Sequence, residues 1–451
     1  MTTNCITTPN DLQPVLDTLS NNGCEIYLVG GAVIDSLKGK EIKDWDIEVF
    51  GISINNLHDI LKQFGNPKEV GKEFGIIKMT LGEIEYDFSV PRKENRVGFG
   101  HKDFQIELCP DITIKEAARR RDLTINSISF DLVNSRYIDP FNGISDLDKG
   151  IIRHIDKDTF IEDPLRVLRI MQILARKGKV VDPETIELCK SIKDTFQYLT
   201  KERVFEEFVK LLMKSDKPSM GLQFLIDCEW IDHFPTLKDL IDCKQNEKHH
   251  PEGDVWNHTC MVIDLAAKYR NEIPEEWRMA FMFGMLLHDC GKPLTTDNET
   301  LTSYSHDMVG GKVFMNFMDQ ITNRIDLINK TKSIIVNHMR PGQLKKCGAK
   351  VLAWRKLHNK LPLEIAKWVS ICDNNGRTRD DKKDSSFMNE EIEMMKKPEI
   401  AKAIVTGKDL IAIGMKPGKD FKRLLEKGFD FQVANGVSDK ETIMNHIVEG
   451  E

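Results

Sequence analysis

The sequence lacks paired cysteines, long apolar runs and any excess of basic residues. Its 10 cysteines are scattered along 451 residues without a C-x-x-C pair, which argues against a zinc ribbon or a disulfide framework and favours reduced thiols. No apolar stretch approaches the ~18 residues of a membrane-spanning helix. The N-terminal residues also lack the basic-then-apolar pattern of a secretory signal. We therefore expect a cytoplasmic protein with no membrane partner.

The charge balance limits how the protein could bind nucleic acid. A formal net charge of -7 argues against a protein that coats nucleic acid indiscriminately, because such proteins carry broad basic surfaces. Any RNA contact must then be local, and DNA is not an expected partner.

The chain is too long for a single hydrophobic core, because such cores stop growing at roughly 250–300 residues. Residues 1–150 alternate helical and extended patterns, and from about residue 151 the periodicity becomes helical. The sequence therefore predicts an α+β head followed by nearly all-α segments. The predicted strands lie in EIYLVGG (25–31), DIEVFG (46–51), GIIKMTL (75–81) and EIEYDFSV (83–90).

Prolines and polar stretches suggest where these segments end. Pro218, Pro235 and the polar stretches 243–254 and 374–386 interrupt the helical patterns, as breakers and turn residues do. We predict four segments from these interruptions and from the change in periodicity. Their bounds are 1–150, 151–240, 241–385 and 386–451.

Two aspartates mark a candidate metal site in the head. Asp44 and Asp46 are two residues apart in KDWDIEVFG, and within a strand this spacing places both carboxylates on one face. Upstream, Gly30 and Gly31 end one predicted strand and open a helix, so that backbone N–H groups can approach a phosphate closely. Carboxylates without a nearby cysteine or histidine suit Mg²⁺. The pattern predicts a magnesium site beside a triphosphate.

In this order, the two elements resemble the nucleotidyltransferase superfamily that includes DNA polymerase β. Within it, the chain is similar to class II CCA-adding enzymes and bacterial poly(A) polymerases, in which G-G-x-V-R-D precedes D-x-D. Gly30, Gly31 and Asp35 match that element, whereas Ile34 replaces its arginine. The resemblance implies a polymerase β-like head in which Asp44 and Asp46 bind Mg²⁺. Asp87 is either a third catalytic carboxylate or a turn-capping aspartate.

Two later motifs resemble the nucleotide-selection elements of the same family. EAARRRDLTINSISFD (116–131) matches R-R-D-x-x-x-N-A, and FIEDPLRVLRIMQILARKG (160–178) matches the E-D-x-x-R helix. If Asp163 and Arg166 are neighbours on one helix face, a carboxylate and a guanidinium can pair with the amine and ring nitrogen shared by cytosine and adenine. The nucleotide-binding residues implied by the two motifs are Arg120, Arg121, Asp122, Asn126, Asp163, Arg166 and Arg169.

One further strand favours CCA addition over poly(A) synthesis. VGKEFGIIKM (70–79) looks like the V-G-x-x-F-G-x strand of CCA-adding enzymes, where poly(A) polymerases carry an arginine-rich variant. Members of the family that add only A share nearly every other motif.

A second constellation follows residue 249 and resembles the HD phosphohydrolase superfamily. His258, His288, Asp289 and Asp373 fill the order H…HD…D, which implies a site for a divalent transition metal such as Ni²⁺, Co²⁺ or Mn²⁺. His306 and His338 are available for a second metal or for phosphate. The cations expected around the scissile group are Lys292, Arg340, Arg377 and Arg379.

Together the resemblances imply an enzyme with two chemistries. Residues 1–150 would form the catalytic head, 151–240 a helical neck and body for nucleotide selection and RNA binding, 241–385 an HD phosphohydrolase domain and 386–451 a helical tail. The head would add C, C and A to the tRNA 3′ end from CTP and ATP, and the HD domain would hydrolyse 2′,3′-cyclic or terminal phosphates at RNA ends. The alternative is an A-adding enzyme or poly(A) polymerase with a regulatory or inactive HD domain. Monomer and homodimer both stay open.

Overall fold

The computed structural model describes residues 6–70, 75–96, 104–378, 380–396, 403–415 and 418–448. They form two compact units, one of Met1–Ser215 with Met220–His233 and the other of Asp216–Ser219 with Phe234–Glu451. Helix α10 (Pro218–Asp227) is divided between them. The finer division into four segments stays a prediction. None of the helices in the described ranges has the length and apolar character needed to cross a bilayer.

The first unit is built on a mixed β-sheet. The described strands of this unit are β1 (Glu25–Leu28), β2 (Trp45–Phe50), β3 (Lys68–Val70), β4 (Ile76–Leu81), β5 (Ile84–Ser89), β6 (Arg92–Arg96), β7 (Phe104–Leu108), β8 (Ser129–Asp131), β9 (Arg136–Ile138), β10 (Ile151–Ile152) and β11 (Val180–Val181). Seven of them form one sheet in the order β3-β4-β5-β2-β1-β8-β9. Of its neighbouring pairs, only β2 and β5 are parallel.

Helices surround this sheet and continue the first unit. They are α1 (Gln13–Asn21), α2 (Gly31–Leu37), α3 (Ile54–Leu61), α4 (Ile114–Arg119), α5 (Gly143–Lys149), α6 (Lys157–Phe160), α7 (Leu165–Lys177), α8 (Pro183–Ser191) and α9 (Lys201–Lys214). Helix α7 buries apolar residues at helical spacing, among them Val167, Leu168 and Met171, which is the periodicity of a helix with one face in the core.

The four predicted strands are confirmed as β1, β2, β4 and β5. Alternation explains β2, where Trp45, Ile47 and Val49 are buried while Asp46 and Glu48 are only partly buried. In a strand, successive side chains point to opposite faces. The buried set therefore anchors β2 in the core and leaves the acidic set on the opposite face. The motif VGKEFGIIKM is only partly described, because residues 71–74 lie outside the described ranges.

The second unit is helical. It contains α11 (Pro235–Lys238), α12 (Val255–Tyr269), α13 (Glu275–Leu287), α14 (Lys292–Thr295), α15 (His306–Ile321), α16 (Ile325–Asn337), α17 (Arg340–Lys346), α18 (Val351–His358), α19 (Leu363–Asn375), α20 (Asn389–Met395), α21 (Gly407–Ala412), α22 (Lys419–Asn435) and α23 (Lys440–Val448). The predicted change from α+β to nearly all-α is confirmed. Beyond residue 150, the described pairings are the short β10–β11 pair and two isolated bridges, one between His154 and Leu123 and one between Thr296 and Ser303.

Candidate active sites

Strand pairing brings the predicted head carboxylates together. Asp46 on β2 is in register with Asp87 on the parallel strand β5, and residues in register on adjacent strands share a face of the sheet. Asp87 therefore lies within a strand beside Asp46 and does not cap a turn. The one-face placement that the spacing would give within a strand does not extend to Asp44, because β2 begins at Trp45 and Asp44 is exposed just before it.

The electrostatics of this carboxylate group fit a divalent cation. Burial, together with repulsion from Asp87 and Asp44, raises the pKa of Asp46. Lys78 offsets part of the charge, since its Nζ lies 2.8 Å from Oδ1 of Asp87. An all-oxygen donor set with mutual repulsion suits Mg²⁺, which relieves the repulsion when it binds. Asp44, Asp46 and Asp87 are the residues that would hold it.

The Gly-Gly turn lies directly against Asp46. Gly30 has φ +73°, and a Cβ at this position would be 3.4 Å from Oδ2 of Asp46. Only glycine adopts such a conformation readily, so the turn can approach the carboxylate closely. Gly31 begins α2 as predicted. Asp35 lies farther along α2, where its Oδ1 is 3.5 Å from Nζ of Lys177 on α7.

The predicted R-R-D-x-x-x-N residues form an internal network. The carboxylate of Asp122 is 5% exposed and accepts hydrogen bonds from Nε of Arg169 at 2.7 Å, Nδ2 of Asn126 at 2.8 Å and the Leu123 N–H at 2.9 Å. Burial alone would raise its pKa, but Arg169 and Asn126 hold the pKa of Asp122 below its ordinary value. The carboxylate is therefore ionised and engaged within the protein.

The nucleotide-binding role that the motif implies for Asp122 and Asn126 stays a prediction. The two residues meet across a short 3₁₀ turn (Thr124–Asn126). Arg121 is also engaged, because its Nη2 donates to Oε2 of Glu48 at 2.9 Å and its Nη1 to the Asn126 carbonyl at 3.0 Å. Glu48 was missed by the sequence analysis. Glu48 could have been recognised from its position two residues after Asp46, which places it on the same face of the strand.

Asp163 and Arg166 are both held by other groups. Arg203 on α9 donates to Asp163 at 2.7 Å, while Arg166 donates to the Thr159 carbonyl at 2.6 Å and the Arg120 carbonyl at 3.0 Å. The prediction that the two lie on one helix face is wrong in detail. Helix α7 begins at Leu165 after Pro164, and a residue that precedes proline is disfavoured in the helical conformation. Asp163 therefore lies just before the helix.

In the second unit, the predicted histidines and aspartates form one cluster. Asp289 lies at its centre, with Oδ2 3.3 Å from Nε2 of His288 and 3.7 Å from Nε2 of His258, and Oδ1 3.3 Å from Nε2 of His306 and 3.8 Å from Nε2 of His338. Asp373 completes the first side, 3.2 Å from Nε2 of His258. We refer to these six residues as the HD cluster.

The HD cluster contains two potential ligand triads. In each triad, all ligand atoms lie within 4.8 Å of one another. The two oxygens of Asp289 face different histidines, so that this carboxylate can bridge two ions. Mixed imidazole and carboxylate donors suit transition metals. The triads are His258, His288 and Asp373 on one side, and Asp289, His306 and His338 on the other.

Main-chain contacts orient the histidine ligands. The Nδ1 atoms of His288, His306 and His338 donate to the carbonyls of Met285, Ser303 and Ile335, three residues earlier in each case, at 2.8, 2.7 and 2.6 Å. This leaves each Nε2 as the ligand atom, the arrangement expected around a bound metal. Burial and the neighbouring His288 lower the pKa of His338 to about 4, which keeps this imidazole neutral and able to bind a cation.

Two of the four predicted cations lie at the HD cluster. Lys292 Nζ is 2.7 Å from Oδ2 of Asp289, and Arg377 Nη2 is 2.7 Å from Oδ1 of Asp373. Burial alone would raise the pKa of Asp289, but His288 and Lys292 hold it well below its usual range. Arg340 instead donates to Gln343 on its own helix, and Arg379 lies outside the described residues.

Glu252 is a contact of the HD cluster that the sequence analysis did not assign. Its Oε1 lies 2.9 Å from Nδ1 of His258 and 2.9 Å from Nδ1 of His250. The side chain is 1% exposed. A carboxylate behind a metal-binding histidine fixes its tautomer and ring orientation. The motif HHPEGDVWNHT contained this residue, but nothing in the spacing showed that the loop folds back onto His258.

Three protein-family models match successive parts of the chain. They are described as "Poly A polymerase head domain" over residues 26–153, "Probable RNA and SrmB- binding site of polymerase A" over 180–241 and "HD domain" over 255–375. The three matches follow the order that the motifs indicated, and the match to the HD domain covers the HD cluster of the second unit.

Known proteins with similar sequences cover most of the chain. A "Multifunctional CCA protein" of Nitrosomonas eutropha is 37% identical over 300 residues, or 66% of this chain and 69% of the relative. A protein of the same name from Nitrosococcus oceani is 30% identical over 408 residues, or 87% of this chain and 94% of the relative.

Solved structures share the fold. The apo form II structure of a CCA-adding enzyme aligns with a TM-score of 0.65 at 20% identity and covers 99% of this chain and 97% of that one. The Thermotoga maritima CCA-adding enzyme complexed with tRNA aligns with a TM-score of 0.60 at 18% identity and covers 98% and 96%.

The contact between Glu252 and His258 predicts a measurable effect on metal affinity. Glu252→Gln keeps the shape of the side chain but removes the charge that orients the imidazole, so Co²⁺ affinity should fall about 10- to 100-fold. Titration monitored by the visible absorption of bound Co²⁺ measures this directly. Glu247→Gln changes an exposed glutamate of the same loop and should bind like wild type. An affinity of Glu252→Gln within twofold of that control would rule out the orienting role.

Proposed function

The chain belongs to the family of multifunctional CCA proteins, and we propose that it adds C, C and A to tRNA 3′ ends from CTP and ATP without a nucleic-acid template. We further propose that its HD domain hydrolyses phosphoesters at RNA ends. The observation that carries the first activity is the pairing of Asp46 with Asp87 beside Gly30. The relatives named above support it, since one of them aligns with 87% of this chain.

In the head, Asp44, Asp46 and Asp87 are the proposed ligands of magnesium. Bound Mg²⁺ lowers the pKa of the RNA 3′ hydroxyl and neutralises the triphosphate and the departing pyrophosphate. The Gly30–Gly31 turn lies against Asp46, and its backbone N–H groups are proposed to contact the triphosphate. In the transfer, the 3′ oxygen bonds to the α-phosphorus as the bond to pyrophosphate breaks. The acidic face of β2 thus holds the reacting groups, while its buried face fixes the strand.

Base selection is proposed to depend on Asp163 and Arg166. Cytosine and adenine each present an exocyclic amine beside a ring-nitrogen acceptor, which a carboxylate and a guanidinium can pair with. Uracil and guanine present the reverse order. The contacts from Arg203 to Asp163 and from Arg166 to two carbonyls support this role, because they hold both groups in place before a nucleotide binds.

In the HD cluster, the six histidines and aspartates are proposed to hold Ni²⁺, Co²⁺ or Mn²⁺. A bound transition metal supplies hydroxide near neutral pH for attack on a phosphoester. Hydrolysis of a 2′,3′-cyclic phosphate breaks one ring P–O bond, with water supplying a hydroxyl to phosphorus and a proton to the released ribose oxygen. Lys292 and Arg377 lie where they can attract the anionic group. A terminal cyclic phosphate would block the hydroxyl that nucleotide addition needs, so the two activities are complementary.

The alternative is A-only or poly(A) addition with a regulatory or inactive HD domain. Residues 26–153 match a model described for poly(A) polymerase heads. An assay must therefore distinguish poly(A) addition from CCA addition. tRNA lacking its 3′ end, incubated with each labelled nucleotide, distinguishes the two by the sequence of the product.

Loss of a metal ligand in the head should abolish nucleotide addition. We expect Asp46→Ala and Asp44→Ala each to lower the rate of addition more than about 100-fold, because a catalytic ligand contributes several kcal/mol to transition-state stabilisation. Incorporation of labelled CTP measures this, with circular dichroism as a check of folding. Asp59→Ala removes an exposed aspartate of the same unit and should act like wild type. If the Asp44→Ala or Asp46→Ala variant kept more than a hundredth of the wild-type rate of addition, the aspartate changed in that variant would not be a metal ligand.

A change at Arg166 should affect base choice more than RNA binding. In Arg166→Ala the guanidinium is lost, and we expect misincorporation of U and G to rise relative to C and A while the Kd for tRNA changes little. Competition among the four labelled nucleotides measures the first effect and filter binding the second. Arg176 lies on the same helix and donates to its neighbour Gln172, and Arg176→Ala should keep wild-type discrimination. Unchanged discrimination in Arg166→Ala would exclude the template role.

The two sites should fail independently. The double variant His288→Ala and Asp289→Ala should lose hydrolysis of 2′,3′-cyclic phosphates, because the remaining His258 and Asp373 cannot hold an ion in an open catalytic geometry. Addition to a free 3′ hydroxyl should persist with Mg²⁺ alone, whereas hydrolysis in wild type should require Ni²⁺, Co²⁺ or Mn²⁺. Asp289→Asn keeps the volume of the side chain but removes its charge. Loss of hydrolysis in this variant would therefore reflect loss of a ligand and not misfolding. Hydrolysis that survives in the double variant would make the cluster structural.

A further inference from the structure

Solvent reaches the HD cluster at only a few of its members. His258 and His288 are fully buried, and Asp289 and His338 are each 2% exposed. His306, at 8%, and Asp373, at 9%, are the most accessible. Of the histidine ligands, His306 is therefore the one through which a substrate phosphate can be approached from outside. The residues around His306 are candidates for contact with the rest of that substrate.

The segment that leads to His306 is a closed loop attached to Asp289 at both ends. It begins at Lys292, whose Nζ is 2.7 Å from Asp289, and ends at His306, whose Nε2 is 3.3 Å from Asp289. Within the loop, Thr296 pairs with Ser303 in a β-bridge, and their hydroxyls are 2.8 Å apart. These contacts fix the loop beside the cluster.

Large apolar side chains on and beside this loop are exposed. Tyr304 is 82% exposed, more than any other large hydrophobic residue among those described, while Leu294 is 71% and Met308 58% exposed. Tyr304 and Met308 each lie two residues from His306, so their Cα atoms are at most ~7 Å from its Cα along the chain. Leu294 is likewise two residues from Lys292. Exposed apolar side chains so close along the chain to two contacts of a buried charged cluster are candidates for contact with a ligand.

We propose that Tyr304 stacks on the terminal nucleobase of an RNA end whose phosphate lies at the HD cluster. This inference rests on the proposed phosphoesterase activity and specifies its substrate as a nucleotide, not a free phosphate ester. Aromatic side chains bind bases by stacking because every base has a π-face. Met308 offers a soft apolar contact beside the ring.

Stacking of this kind carries a prediction about specificity. It tolerates all four bases, since it depends on the π-face and not on hydrogen-bond pattern. The HD domain should therefore accept RNA ends of any terminal base, in contrast to the base choice assigned to Asp163 and Arg166. One chain would combine a base-tolerant site for cleaning ends with a base-selective site for extending them.

The test compares substrates with and without a base. Adenosine and uridine 2′,3′-cyclic phosphates are hydrolysed in parallel with the baseless methyl riboside 2′,3′-cyclic phosphate, in the presence of Ni²⁺, Co²⁺ or Mn²⁺. We expect Tyr304→Ala to raise KM about 5- to 150-fold for both nucleosides, the range expected for loss of one stacked base, and to leave the baseless substrate within about twofold. Tyr304→Phe keeps the ring and should behave like wild type.

A matched control changes an exposed apolar residue away from the HD cluster. Ile325, 74% exposed, begins the 13-residue helix α16, and His338 directly follows the other end of that helix. Ile325 and His338 are therefore ~20 Å apart along the helix axis. Ile325→Ala should leave every substrate unaffected. Tyr304→Ala with unchanged KM for the nucleosides, or with equal losses on all three substrates, would overturn the stacking role.

A binding measurement separates this proposal from the hydrolase activity itself. Calorimetric titration of the metal-loaded protein with adenosine 2′-monophosphate, a product that needs no turnover, should give a Kd that rises by a similar factor in Tyr304→Ala. Tyr304-dependent binding without hydrolysis of any substrate would refute the hydrolase function and keep the stacking site. Equal affinities of wild type and Tyr304→Ala would refute the stacking site whether or not hydrolysis occurs.

Discussion

The arrangement of the first unit depends on the contact between the buried carboxylate of Asp122 and the partly exposed guanidinium of Arg169. It joins the segment that follows α4 to helix α7, with Nε of Arg169 2.7 Å from Oδ2 of Asp122. Asn126 and the Leu123 N–H occupy the other carboxylate oxygen. Removing Arg169 would leave a buried charge without its partner, which is far more costly than losing an exposed ion pair. The position of Arg166, one turn earlier on α7, relative to the carboxylates of the sheet depends on this contact.

Several strands of the fold and the residues of the HD cluster could be predicted from the sequence. Extended patterns identified β1, β2, β4 and β5, and the order of His258, His288, Asp289 and Asp373 identified a cluster that the fold brings together. What could not be read was which polar groups satisfy one another. Asp122 and Asp163 occupy motif positions associated with nucleotides, yet each accepts a hydrogen bond from an arginine on a helix, Arg169 or Arg203. Such pairings join residues about 40 or more positions apart, and local periodicity carries no information about them.

The two candidate sites differ in how their ligand groups are arranged for binding a cation. In the head, burial together with repulsion from Asp87 and Asp44 raises the pKa of Asp46, so a bound divalent ion would stabilise the ionised carboxylates. In the HD cluster, the imidazoles are held by main-chain carbonyls and Glu252, which point each ligand atom inward beforehand. The first arrangement suits an ion that arrives with a triphosphate, and the second suits an ion retained between turnovers.

Side chains of this protein, and no nucleic-acid template, are proposed to choose the nucleotides that it adds. Incubation of the purified protein with tRNA lacking its 3′ end, Mg²⁺ and all four nucleoside triphosphates, followed by sequencing of the products, tests this choice. We expect C, C and A to be added in that order and growth then to stop. Runs of A alone, or incorporation of U and G at rates comparable to C and A, would contradict it.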